Sequence, residues 1–594
     1  MQQPQPTTNT KPKTPRVPAE AHGINVNHCK NPNCGNFNLP VPDAATYGNS
    51  PYTIVATGAN QPAARCNACG EIFGLKSNQG VFEESYRILS MTYEADSCPE
   101  TNCDHHRVPV RVEGAYHSFG TTKAGSKRYS CKSCGKTFSV KPRGLNPIAR
   151  QIQSDKNRTI LSMLINKMPL RRICEAADVH PEVLYQRIDF LHRQASALVA
   201  ERERDIPGLN IERLYLGVDR QDHVINWSRR EDKRNVTLSS VAAADNKSGY
   251  VFSMVPNFDP GEDPDEVEAR HSALGEKGMA ACHRKFARHW LAEDYNKAVM
   301  NSKRVLPRGG LTNSIMETYA NAALRDDIEA PEILNAKDDT LPSKGMLVHA
   351  EYTLHGYFTA LARMFSSVGK VRFFLDQDSG MRAACLSAFR DRIADGTCDA
   401  FYVRIAKDLT VDDKRKRLAD AKAEFNLLWA SMNAAAGVML EEKDVMLALL
   451  KHRIADAQAI GPWKDRWVSM PLPGMSEPEK AVCHLTNLGS HDEDHLAWLY
   501  GKASLHAIDS FFNRLRRRSS LLERPVRSST NRGRVWNQYS AYRPEQIAKI
   551  QTLIRVCHNY VWVPEGRKAE RGTPATRLGL AKAPLDLNDI IYFR

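Results

Sequence analysis

The chain has 594 residues, 82 Lys and Arg against 68 Asp and Glu, and a formal net charge of +14. That length exceeds what one hydrophobic core serves, so several domains are expected. The absence of any run of about 18 apolar residues argues against a membrane span, and the opening MQQPQPTTNTKPKTPRVPAE has no apolar stretch of the kind a secretory signal needs.

Residues 1–23 are Pro/Thr/Lys-rich, a composition that predicts a disordered tail. The positive balance favours a polyanionic partner. Fourteen cysteines are distributed unevenly. Eight lie within the first 134 residues in paired spacing, and six (Cys174, Cys282, Cys385, Cys398, Cys483, Cys557) stand singly. Local thiolate metal sites in a cytoplasmic protein fit this pattern better than a disulfide scaffold.

The pairs form an internal repeat. Cys29-x4-Cys34 and Cys66-x2-Cys69 are followed by Cys98-x4-Cys103 and Cys131-x2-Cys134, and ARCNACGEIFG matches RYSCKSCGKTFS. A Cys-x-x-Cys-Gly turn puts two thiolates on one knuckle, and two knuckles supply a closed tetrahedral Zn2+ site. Two zinc ribbons are therefore expected, over 24–80 and 90–145. Phe73 and Phe138 are placed to pack beneath the knuckles. His28, His105 and His106 lie close enough in sequence to replace a thiolate, so the spacing leaves the ligand sets open there.

Residues 147–205 carry helical periodicity. Ile160, Leu161, Leu164 and Ile165 mark one apolar face, Leu170, Ile173 and Cys174 a second, and Leu184, Ile188 and Leu191 a third beyond Pro181, which suits a first helical position. A short helix, a tight turn and a longer helix make a helix-turn-helix pattern. It places Glu182, Tyr185, Gln186 and Arg187 toward a DNA groove.

Arg213–Asp219 (RLYLGVD) predicts a strand tipped by a carboxylate, with Asp222 as a nearby rival, and strand-like runs at 223–228, 236–244 and 250–255 continue an antiparallel meander. Residues about 257–345 look like an insertion. KVRFFL, at 370–375, predicts a buried strand ending at Asp376, with Asp378 as its rival, and a helix follows; an acid at that point marks the ligand-binding edge of an α/β sheet. Residues about 410–500 are expected to be a second, mostly helical insertion. Downstream, Asp509, Phe512, Asn513 and Arg516 recur at helical spacing and share a face. Arg514, Arg516, Arg517, Arg518, Arg524, Arg527, Arg532 and Arg534 form a dense cluster suited to phosphate contact. Glu523 is the rival of Asp509.

In this order of motifs the chain resembles the zinc-ribbon, helix-turn-helix DDE transposases of bacterial insertion sequences. The ending is similar too: Asn559-Tyr560 and Thr573-Pro574-Ala575 correspond to a "YN…TPA…G" pattern, with the first pair reversed. The family's third acid is usually Glu, whereas Asp509 stands here. The resemblance implies a multidomain protein with two zinc ribbons, a helix-turn-helix and an α/β RNase H-like catalytic core over 211–560 with helical insertions, then a tail over 561–594. It implies that Asp219, Asp376 and Asp509 hold two Mg2+ ions for DNA strand cleavage and strand transfer. It also implies double-stranded DNA (transposon ends and target) as partner, contacted by Tyr185, Gln186, Arg187, Asn513, Arg514, Arg516, Arg517, Arg518, Arg527 and Arg532, with assembly as a homo-oligomer. A transposase-derived regulator with an inactive core and a structure-selective nuclease are the alternatives.

Overall fold

The computed structural model describes residues 16–42, 50–57, 61–92, 96–100, 103–106, 108, 110, 114–123, 125–140, 148, 151–226, 231–301, 311–323, 339–406, 409–461, 464–524, 539–564 and 572–593. Arg527, Arg532 and Arg534 lie outside them. Strands β1 (Tyr52–Thr57), β2 (Gln61–Cys66) and β3 (Ile72–Gly74) form one small antiparallel sheet. Helix α1 (Asn78–Thr92) follows, occupying the interval between the two expected ribbons. Strands β4 (Tyr116–Thr121), β5 (Lys127–Cys131) and β6 (Thr137–Val140) repeat the first sheet.

Three helices come next: α2 (Asn157–Leu164), α3 (Leu170–Ala177) and α4 (Pro181–Arg204). Of the apolar positions expected to face inward, Ile160, Leu161, Leu164, Ile165, Ile173, Leu184, Ile188 and Leu191 are buried, and Leu170 and Cys174 are half-buried. Asp178, in the left-handed region at φ 49°, ends α3, and Pro181 opens α4.

The large sheet is built from β7 (Arg213–Ile225), β8 (Val236–Asp245) and β9 (Val251–Pro256), joined antiparallel. Short β10 (Phe258–Asp259) is followed by α5 (Pro264–Ala273), α6 (Ala292–Asn301) and α7 (Leu311–Ala323), and then by β11 (Met346–Leu347), which pairs with β10. Helix α8 (Ala350–Met364) leads to β12 (Lys370–Asp376), α9 (Ser379–Ala388), α10 (Arg390–Ala394) and β13 (Cys398–Ile405). After α11 (Val411–Ala436) and α12 (Glu442–Ala455) come β14 (Ala459–Ile460), β15 (Asp465–Ser469) and β16 (Lys480–His484). The chain closes with α13 (Glu493–Lys502), α14 (His506–Arg518), α15 (Glu545–Val556), α16 (Pro574–Leu578) and α17 (Leu587–Ile591).

The sheet has eight strands in the order β14-β15-β16-β13-β12-β7-β8-β9. β12 is parallel to both β7 and β13, and the other pairs are antiparallel. The fold is thus multidomain α/β, with two four-cysteine modules at its head and a mixed sheet behind them. The stretch 410–500 is mostly helical, through α11, α12 and the start of α13, but β15 and β16 within it also extend the sheet past β13, because the apolar run at Ala481, Val482 and Cys483 finds Tyr402 and Val403 to pair with.

Both sheet faces are covered, which is why VRFFL reads as an unbroken apolar run. On one face Phe373 packs on Phe358 of α8 and on Phe389, ring centroids 5.5 and 4.7 Å away. On the other, Phe374 lies beside Tyr215, which meets Trp498 of α13. Helix α14 starts above Gly217 on this second face. A Cβ at Gly217 would lie 3.3 Å from Ile508 Cγ2 and 3.4 Å from the Ser504 carbonyl oxygen, so a larger residue would push the helix off the sheet.

The head is joined to the sheet through ion pairs that are buried and therefore strongly penalised if one partner is lost. Glu71 of the first ribbon accepts from Arg382 of α9 (3.1 Å), and Glu84 of α1 accepts from Arg288 (3.0 Å), which also reaches Asp259 (2.7 Å). The stretch 561–594 is not a loose tail where it is described. Asp586 pairs with Arg158 of α2, and Gln194 of α4 donates to the carbonyls of Ile591 and Phe593. Among the described residues no helix is long and apolar enough to cross a membrane.

Candidate functional site

The two cysteine sets assemble as their spacing requires. Cys29, Cys34, Cys66 and Cys69 form one group and Cys98, Cys103, Cys131 and Cys134 another, each with all sulfurs within 4.8 Å of one another. Cys29–Cys69 and Cys34–Cys66 stand 3.5 and 3.7 Å apart, and Cys98–Cys134 and Cys103–Cys131 both 3.5 Å. A tetrahedral zinc with Zn–S bonds of about 2.3 Å has sulfur–sulfur edges of about 3.8 Å, so both groups suit a structural Zn2+. Gly70 and Gly135, at φ 79° and 73°, turn the backbone after each Cys-x-x-Cys, and their N–H groups donate to the carbonyls of Cys66 and Cys131. Backbone N–H groups of Asn31, Asn36 and His105 point at the sulfurs of Cys29, Cys34 and Cys103.

The histidines left open by spacing do not join these groups. Nδ1 of His28 meets the Cys29 carbonyl and Nδ1 of His106 the Cys98 carbonyl, both at 2.9 Å, while His105 lies 3.5 Å from the Cys131 sulfur as a neighbour. Sequence reasoning missed a tyrosine in each copy. The Tyr52 hydroxyl accepts from Cys29 N–H (3.0 Å) and donates to the Leu39 carbonyl, and the Tyr116 hydroxyl accepts from Cys98 N–H (2.9 Å) and donates to the Val108 carbonyl. Both stand ahead of the second knuckle, and aligning the repeat beyond its cysteines would have found them. Phe73 and Phe138 pack edge-on against these two rings.

The three acids come from separate elements to one face of the sheet. Leu375 of β12 pairs in parallel register with Val218 of β7, so Asp376 and Asp219 are next neighbours pointing the same way. Asp509 lies in the first turn of α14, one residue beyond the Ile508 that covers Gly217 on that face. Asp219 is buried, and Asp376 and Asp509 are partly exposed. An Asp219 carboxylate oxygen accepts from Arg220 N–H at 2.7 Å. Arg516, two turns along α14, donates to Gln221 (3.1 Å). Burial lowers the pKa of its guanidinium and Arg524 adds to that, while the Asp509 and Asp219 carboxylates oppose both. Arg516 therefore sits in the electrostatic reach of two of the acids. The trio is not among the described groups whose ligand atoms all lie within 4.8 Å, so it is more open than one ion's coordination shell.

The rivals have other engagements. Asp378 caps α9, accepting from the N–H groups of Gly380 and Met381, and pairs with Arg220. Asp222 is three residues from Asp219 along a strand, which turns it to the opposite face. Glu523 pairs with Lys167 at 2.7 Å.

The predicted DNA-contacting residues divide. Tyr185, Gln186, Asn513 and Arg517 are exposed. Arg187 is not: contrary to the outward placement expected from helical spacing, it is buried and donates to the Ile152 carbonyl, because the segment ahead of α2 folds back over α4. Arg514 donates to Nδ1 of His558 (2.7 Å), and Arg518 bonds Asn166 and lies over the Trp562 ring at 4.6 Å. The 557–560 motif is structural where it is described. Asn559 both accepts from and donates to the Val251 backbone at the outer edge of β9, and Tyr560 meets Tyr250, which donates to Glu203 of α4. No family model, curated protein or solved structure matches this chain.

Proposed function

We propose that the chain is a DNA transposase of the DDE type whose catalytic core has the RNase H-like fold. The observation that carries this reading is the convergence of Asp219, Asp376 and Asp509 on one sheet face. The strand arrangement supports it. Three antiparallel strands (β7, β8, β9), followed by two strands added in parallel on the other side of the first (β12, β13), give the order 9-8-7-12-13. The RNase H-like fold has that plan, with its acids at the first strand, at the end of the fourth and on a late helix. The insertions fall between β9 and α8 and between β13 and α13, outside this plan.

The three carboxylates supply the hard oxygen donors that Mg2+ takes, on a partly exposed face. When bound there, Mg2+ lowers the pKa of an attacking water and offsets charge on a leaving 3′-oxygen. Asp219 is fixed by its strand and by Arg220 N–H, Asp376 by its parallel register, and Asp509 by α14 resting on Gly217. Arg516 is placed to offset phosphate charge beside them. Helices α2 to α4 present Tyr185 and Gln186 outward, and the +14 net charge favours duplex DNA.

The test is cleavage and joining of DNA carrying the element's ends, with Mg2+. Wild type is expected to cut and join. Asp219→Ala is expected to lose several kcal/mol of transition-state stabilisation, about a thousandfold in rate, while end binding stays unchanged. A D219A protein that cuts and joins at the wild-type rate would refute the assignment. Cleavage without joining favours the structure-selective nuclease.

A further inference from the structure

Among the described residues, one further group of potential metal ligands lies outside the cysteine modules: Asp399 on β13, His484 on β16 and His491 in the segment before α13, with ligand atoms all within 4.8 Å of one another. It lies on the same sheet face as the three acids but apart from them. Asp399 pairs in register with Arg372, four residues ahead of Asp376 on β12, about 13 Å along the strand.

The geometry points to a third metal site, a transition-metal centre made by Asp399 Oδ1, His484 Nε2 and His491 Nε2. Both imidazole nitrogens converge on the same carboxylate oxygen, at 3.3 and 3.2 Å. A charge-assisted hydrogen bond to a carboxylate closes to about 2.7–2.9 Å. Ligands on a tetrahedral ion with bonds of about 2.0–2.1 Å stand about 3.3–3.4 Å apart, nearer to the two separations seen at Asp399 Oδ1 than a closed hydrogen bond is. The other oxygen, Oδ2, is held by Arg372 Nε at 2.7 Å, fixing the carboxylate with Oδ1 turned to the imidazoles. His484 is clamped by stacking on Phe401, ring centroids 4.2 Å apart. Its Nδ1 is buried with no hydrogen-bond partner and carries the ring's one proton when Nε2 ligates, a desolvation cost that the metal bond would offset. A neutral imidazole is the form that ligates metal. Thr486 Oγ1 borders the same point, 3.2 Å from His484 Nε2.

Two imidazoles and a carboxylate suit Zn2+ or a similar divalent transition ion rather than Mg2+. His491 is the partly exposed ligand, so a water or hydroxide completes the shell on its side. An anionic fourth ligand also offsets the positive charge that Arg372 and the ion bring together. The site would tie β13, β16 and the approach to α13 into one unit, and it is independent of the transposase reading.

The test compares bound zinc in the full chain after loading with Zn2+ and removal of excess. H491A is expected to hold one equivalent less per chain than wild type; equal content overturns the site. H491C controls for general loosening. It is expected to regain the lost equivalent and, loaded with Co2+, to add thiolate-to-metal charge-transfer absorption beyond that of wild type. H491C binding no more metal than H491A overturns the proposal as well.

Discussion

Asp376 and Asp378 are two residues apart in sequence and have different surroundings. Asp376 shares its face with Asp219, whereas Asp378 holds the first N–H groups of α9 and the Arg220 guanidinium. On the proposed reading, Asp376→Asn removes a metal-binding oxygen charge and lowers cleavage about a thousandfold with little change in melting temperature. Asp378→Ala does the reverse, costing about 1–2 kcal/mol of stability through loss of a cap and leaving most of the cleavage rate. Cleavage kinetics beside thermal melting of the two variants separates them, and equal rate losses would count against the assignment. Nothing in the sequence distinguished the two acids, because both follow the same apolar run. The distinction comes from register and from the helix that begins one residue after Asp378.

Helix α4 shows the same division along one element. Its N-terminal half exposes Tyr185 and Gln186, and its C-terminal half is anchored through Glu203 to Arg555 and Tyr250. If α4 enters a DNA groove, Gln186→Ala weakens specific binding by about 1–3 kcal/mol, the range of a base contact, without loss of stability. Arg187→Met is expected to destabilise the domain by about 1–3 kcal/mol, since it strips the Ile152 carbonyl of its donor, and to leave affinity per folded molecule unchanged. Electrophoretic binding assays and chemical denaturation of both variants check this, and a binding defect confined to Arg187→Met would invert the assignment. The three apolar faces of α2 to α4 were legible because helical spacing fixes them locally. The burial of Arg187 was not, since it depends on a backbone segment folding back from residue 152.

For the molecule as a whole, acid stability follows from two buried histidines. His223 bonds Gln551 and His558 bonds Arg514 and the Gly249 carbonyl, and burial, helped by Arg516 beside His223 and Arg514 beside His558, holds both rings neutral with pKa values down to about 3. Their unfolded value is about 6.5, so the unfolded chain takes up these protons first as pH falls. Stability contributed by the two neutral rings is full above pH 6.5 and is lost progressively from there toward pH 3, by up to about 1.4 kcal/mol per pH unit for each ring. Melting temperature measured from pH 7.5 to 5 is expected to fall, and to fall less steeply in His223→Gln once its lower starting stability is subtracted. A melting temperature flat across that range would show that the rings are not held neutral.

The sequence by itself determined the features whose partners are close along the chain: two thiolate knuckles per ribbon, three helices with their turn, and the strands around Asp219 and Asp376. Knuckle geometry, capping and apolar period act over a few residues, so local spacing is enough to specify them. Tertiary structure alone decided which acids share a face, which arginines are engaged inside the molecule, that 465–484 adds strands to the sheet, and that Asp399 meets His484 and His491, residues 85 and 92 positions away. Those outcomes depend on strand order and register, which are set by burying the whole sheet between its helices, and no short window of sequence carries that energy.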